Sequence, residues 1–201
     1  MNLRRFFYGF AFLLLVISPA GISHAGVNSP EAFVKEMASR TMGAIASPDI
    51  TREERRAIFR DMLDDHFDMA TISRFVLGRY WRVASAEQKK RYRTLLDEAL
   101  INVYTDRFDD YKGEGFEVLG QRAEGNDVLV FSQILPIDTP PVKVDWRIRK
   151  DNGQYKVIDV IVQDISMVVT KRSDFASVIQ RGGGNVEVLL DHLEENQQGL
   201  L

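Results

Sequence analysis

His66 lies between Asp64-Asp65 and Asp68, an imidazole close to several carboxylates in the sequence. On paper this spacing offers a metal site or an acid–base pair. Asp65, His66 and Phe67 are adjacent on a helix end, however, where neighbours point in different directions. Divalent metal sites draw ligands from separate elements, and no second histidine cluster completes one. His66 therefore reads as a helix C-terminal residue, favoured there by the dipole, and His192 as a solvent-facing residue of an acidic last helix. Thiol catalysis, cysteine-ligated zinc and iron–sulfur clusters are excluded, because the chain has no cysteine. No Gly-x-Ser-x-Gly elbow is present, and Ser166 has no base near it in sequence. Gly182-Gly183-Gly184 lacks the lysine and preceding strand of a phosphate loop, and fits a helix cap and turn instead. Asp159 stands among apolar strand residues and needs a partner. Arg172, on the helix that follows, is assigned to it as a structural pair. No nucleophile, base and oxyanion site converge, and no catalytic residue or metal ligand is assigned. The enzymatic alternative would use Asp159 or the His66–Asp68 region in a polar, water-accessible pocket.

The elements that would position these residues run helices first, then a sheet, then helices again. Ser29-Pro30 opens a helix to about Ile45, with Phe33, Val34, Met37 and Met42 inward. Thr51-x-x-Glu54 is a capping box for a second helix carrying Ile58, Phe59, Met62 and Leu63 on its buried stripe. Asp68 caps a short third helix that stops at Gly78. Ser85-x-x-Gln88 starts the longest helix, which runs to about Tyr111. Strands are expected at 116–122, 126–135, 142–150 and 154–163, with Asp151-Asn152-Gly153 as a tight hairpin. The short connections imply an antiparallel meander. Helix resumes over 165–181, and Asn185 caps a last helix ending near Glu195. The fold class is α+β, with an antiparallel sheet of about four strands between helices.

Strand 142–150 alternates strictly, Val142, Val144, Trp146 and Ile148 against Lys143, Asp145, Arg147 and Arg149. Strands 126–135 and 154–163 are apolar on both sides. Such strands are covered on both faces, or one face lines a cavity.

At the N-terminus, Arg4-Arg5 precede an apolar run from Phe6 to Ile17, and Ser23-His24-Ala25 forms a small-residue cleavage site. Residues 1–25 are therefore expected to be a cleaved signal peptide, and 26–201 a single domain. Gly26 stands where a lipoprotein would carry cysteine. Removing the signal lowers Lys+Arg from 26 to 24 against 29 acids, a net charge of −5. That balance argues against general nucleic-acid binding.

Several segments together resemble one family, the MlaC or toluene-tolerance proteins, auxiliary components of ABC transporters. They are His66-Phe67-Asp68, Leu77-Gly78-Arg79-Tyr80-Trp81-Arg82 with Ala84-Ser85-x-x-Gln88, and Tyr104. Further on come Tyr111-x-Gly113, Lys156-Val157-x-Asp159-Val160, Ser166, Arg172-Ser173-x-Phe175 and Ile179 to Gly184. One departure is clear: the family usually reads Val-Glu-Gly-Val-Ser where this chain has Val162-Gln163-Asp164-Ile165-Ser166. The resemblance implies a monomeric periplasmic phospholipid carrier with a curved sheet wrapped by helices, a nuclear-transport-factor-2-like cone. It implies exchange between an outer-membrane lipoprotein–porin complex and an inner-membrane MCE-domain ABC transporter, in the service of outer-membrane lipid asymmetry. A branch of the family is tied to hopanoid-related lipid instead. No cofactor is implied beyond phospholipid as cargo.

For such a carrier the expected lining residues are Val130, Ile134, Val144, Trp146, Ile148, Val160 and Val162 on the sheet. Tyr80, Trp81, Tyr104 and Met167 join them from helices. Arg79, Arg82 and Arg172 are candidates to meet a lipid phosphate.

Overall fold

The computed structural model describes residues 29–47, 49–107 and 115–196. The expected signal peptide, the far end of the longest helix with Tyr111 and Gly113, and the last residues of the tail lie outside these segments. Among the described residues no helix is long and apolar enough to cross a membrane.

Helix α1 (Pro30–Ile45) begins as its sequence dictates, with the Ser29 hydroxyl accepting from the Ala32 N–H at 3.1 Å. Helix α2 (Arg52–His66) carries both halves of the Thr51/Glu54 capping box. Helix α3 (Met69–Leu77) starts where the Asp68 carboxylate accepts from the Thr71 N–H at 2.9 Å. Gly78 ends it at φ +58°, and a 3-10 turn (Gly78–Arg82) follows. A side chain on Gly78 would also press on Arg172, whose Nε lies 3.1 Å from the place of the missing Cβ. The Ser85/Gln88 box then starts helix α4 (Ala86–Arg107).

The sheet contains β1 (Gly115–Glu124), β2 (Asp127–Leu135), β3 (Val142–Asp151), β4 (Gln154–Val162) and β5 (Ile165–Ser166) in that order, each antiparallel to the next. It is a curved, unclosed sheet. Asn152 and Gly153 turn β3 into β4 with φ values of 47° and 84°, the two left-handed positions of a type I′ hairpin. The short fifth strand replaces the beginning of the expected helix over 165–181. Gln163 and Asp164, at φ 48° and 65°, fold the chain back so that Ile165 pairs with Val162. Helix α5 (Met167–Arg181) therefore begins two residues later, and α6 (Val186–Glu195) follows the Asn185 cap.

Two irregularities set which side chains face the helices. Leu119 is an extra residue between the pairs Val118–Ser132 and Gly120–Phe131. Ile158 is extra between Ile148–Val157 and Arg147–Asp159. A bulge of this kind transfers the inward face from one alternation to the other. Val157 before it and Val160 after it consequently both join the core.

Among the described residues, one face of the sheet and the six helices share a continuous core. Across it run the rows Val128–Ile148–Val157, Val130–Trp146–Val160 and Ser132–Val144–Val162. The other face carries Arg122 stacked on Phe131 at 5.7 Å, Arg149 paired to Asp127, and Lys143 between Asp145 and Asp164. Of the apolar residues that sequence alternation leaves on that side, Phe131 lies beneath Arg122, Leu129 is buried and Leu135 stays exposed. At the other end of the molecule Arg91 forks onto Glu187, Asp191 and Glu194, tying α4 to α6.

Candidate functional site

A cleft of about 50 Å³ opens between the sheet and the helices. Leu63 and Phe67 line it from the end of α2, and Met69, Ile72 and Val76 from α3. Leu96, Leu100 and Tyr104 enter from α4, Val160 from β4, and Met167 and Val168 from α5, while Asp159 and Lys171 supply its ionisable groups. Each wall follows from a helical or strand stripe already apolar in sequence. The volume would hold a few waters at most, far below the roughly 300 Å³ at which small-molecule pockets begin.

Of the residues expected to line a cavity, Tyr104, Val160 and Met167 border this cleft. Val130, Val144 and Ile148 are buried on the same sheet face, and Ile134, Trp146 and Val162 are half-buried against it. The Trp146 indole N–H donates to the Ser132 hydroxyl at 3.0 Å. Tyr104 stacks on Phe59 with ring centroids 6.0 Å apart. Tyr80 is buried, its hydroxyl accepting from Arg79 at 2.8 Å. Trp81 is half-buried with Lys89 and Arg93 over its ring, away from the cleft lining. The α3 residues Met69, Ile72 and Val76 were not among the expected lining. Their apolar spacing is that of any buried helix, and spacing alone does not separate a packed face from a hollow one.

The charged candidates take different places. Asp159 does not pair with Arg172. Its carboxylate accepts the Ser166 hydroxyl at 2.6 Å and the Val168 N–H at 3.2 Å, tying the bulged strand to the first turn of α5. Burial raises its pKa, and the Ser166 hydroxyl, the backbone N–H groups and Arg147 oppose that rise. Arg172 instead lies over the Phe75 ring at 4.9 Å. Arg79 and Arg82 are exposed on the 3-10 turn and take no part in the cleft wall.

His66 ends α2 as expected, but its ring packs edge-on against Phe33 with centroids 5.6 Å apart. Burial lowers its pKa, outweighing the nearby Asp65. The carboxylate of Asp68 is spent on the α3 cap. His66 and Asp68 are thus turned to separate tasks. His192 is half-buried rather than solvent-facing, with its ring nitrogen 3.1 Å from the Asn196 amide. No cluster of three or more metal-ligating side chains occurs among the described residues.

The family profile described as MlaC protein matches residues 35–195. The chain is 19% identical to the intermembrane phospholipid transport system binding protein MlaC of Haemophilus influenzae, over 98% of this chain and 96% of that protein. It is 22% identical to the toluene tolerance protein Ttg2D of Pseudomonas putida, over 89% and 86%. The phospholipid-binding protein of Ralstonia solanacearum, solved with a phospholipid, superposes with a TM-score of 0.74 at 24% identity, covering 86% of this chain and 97% of that one. That likeness shows the fold, and the profile match shows the kinship: the chain belongs to the MlaC family.

Proposed function

We propose that this protein is a soluble phospholipid carrier that holds acyl chains between the helix-facing side of its sheet and helices α3, α4 and α5. The observation that carries the reading is the cleft itself, walled by side chains from both layers and apolar apart from Asp159 and Lys171. Moving acyl chain into water costs about 0.8 kcal/mol per methylene, so a diacyl lipid faces on the order of 20 kcal/mol unaided. A carrier removes that cost by binding alone and needs no chemistry. At its present volume the cleft cannot take such chains, so loading requires α3 and α5 to move apart from the sheet. The flexible thioethers of Met69 and Met167 suit walls that must repack around variable chains.

The carrier works in the periplasm after residues 1–25 are removed, as one domain from Gly26 onward. It exchanges lipid between an outer-membrane lipoprotein–porin complex and an inner-membrane MCE-domain ABC transporter. The names of the relatives, an intermembrane phospholipid transport component and a phospholipid-binding protein, support this reading. Native mass spectrometry of protein purified gently from cells tests it. A bound diacyl phospholipid is expected. A folded, lipid-free protein would reject the carrier, and a hopanoid mass would reassign its cargo.

A further inference from the structure

The chain as a whole is acidic, yet residues 74–93 carry seven Lys/Arg and one Glu. Arg91 is committed to the α6 carboxylates. Arg74, Arg79 and Arg82 make no ion pair within 4.0 Å among the described residues, and neither does Arg172 on the adjoining helix α5. Aromatic rings hold two of these guanidinium groups: Arg172 lies over Phe75, and Arg79 over Tyr80 at 4.8 Å. Stacking fixes a guanidinium while leaving most of its donors free for an outside anion.

Apolar side chains stand exposed among these cations. Phe75 is 39% exposed, Val83 71% and Val169 52%. On a folded surface, exposed apolar groups interleaved with unpaired arginines match a bilayer interface. There apolar tips enter the headgroup–acyl boundary while guanidinium groups meet lipid phosphates. An acidic protein surface would explain the arginines but gives no role to Val83 and Val169. We infer that the face formed by Phe75, Arg79, Arg82, Val83, Val169 and Arg172 docks on an anionic lipid bilayer. The same two helices, α3 and α5, wall the cleft on their inner sides, so docking places the membrane against the elements that must part for lipid to enter.

The inference stands on surface charge and exposure and does not require a loaded cleft. A chain that carries no lipid yet docks would overturn the carrier and leave this surface standing. The test is co-sedimentation with phosphatidylethanolamine vesicles with and without phosphatidylglycerol, comparing wild type with Arg79→Glu/Arg82→Glu and Arg79→Lys/Arg82→Lys. Any contribution of the N-terminal segment is common to all three proteins. Wild type should prefer the anionic vesicles and lose that preference in high salt. The glutamate pair should weaken binding at least about tenfold, and the lysine pair should retain most of it. Equal binding of wild type to both vesicle types would overturn the inference. So would a glutamate variant that binds like wild type, or salt-sensitive capture by an acidic protein without vesicle binding. Thermal melts of all three proteins separate lost docking from lost folding.

Discussion

The Ser166 hydroxyl donates to the Asp159 carboxylate at 2.6 Å while accepting from the Val169 N–H at 3.2 Å, so one serine satisfies a buried acid and caps a helix. This pairing joins the bulged strand β4 to α5, the two elements that meet at the cleft.

Ser166→Ala should therefore cost more than an ordinary cap, about 2 kcal/mol at neutral pH. The loss should shrink in acid, because Asp159, its pKa already raised by burial, then becomes protonated and needs less support. Denaturant melts at several pH values measure it. A pH-independent loss would show that the serine acts only as a cap.

Asp97, on α4, is pushed up to about 6, first by burial and then by Asp64 and Glu98. A carboxyl whose folded pKa exceeds its unfolded one binds its proton more tightly in the folded state. Its contribution to stability is full at low pH and falls as pH rises from about 4 through about 6. Asp97→Asn should thus stabilise the protein by on the order of 1–2 kcal/mol at pH 8 and make no difference near pH 4. Paired melts of wild type and variant across that range provide the check.

Asp164 occupies a left-handed position at φ 65° and reaches Lys143 at 2.5 Å. This is the position at which the resemblance to the family implies a glycine. Asp164→Gly should be well tolerated, whereas Asp164→Ala, which keeps the Cβ and loses the carboxylate, should be less stable than the glycine variant by about 1 kcal/mol. Equal melting temperatures for the two would mean that the turn bears no backbone strain.

Gly182 closes α5 where the chain turns back into α6. A Cβ there would meet a Val188 methyl at 2.6 Å. Gly182→Ala should cost about 1–3 kcal/mol through overpacking. Adding Val188→Ala removes the two methyls but leaves the Cβ of residue 188 at 2.8 Å, so it should restore only part of the loss. A double variant no better than the single one would locate the constraint in the backbone instead.

Local signals were the legible part of this fold. The Thr51/Glu54 and Ser85/Gln88 boxes, the Asn152-Gly153 hairpin and the Asn185 cap each rest on residues within a few positions of one another, and each forms. The bulge at Ile158 was illegible for the opposite reason. Apolar residues on both alternations of 154–163 read as a strand covered twice, whereas the extra residue lets Val157 and Val160 serve one face in turn. The partner of Asp159 was missed with it, since the pairing depends on where the bulge and the short β5 place Ser166. The cleft was half legible: its sheet and α4 components carry visible stripes, but the part played by α3 depends on how that helix meets α5.

An open sheet carries two unpaired borders, and a protein built on one has to keep both from templating fibres. On the β4 side, Ile165–Ser166 take one stretch and the Phe67–Asp68 backbone takes another, through the Phe67–Val157 bridge and the Asp68 N–H to the Val157 carbonyl at 3.0 Å. On the β1 side, the extra Leu119, Gly120 and the charges of Glu117, Arg122 and Glu124 twist and electrify the border. The links at Phe67, Asp68 and Ser166 therefore also act as a safeguard against polymerisation, and their loss would favour fibrils as well as looser monomers.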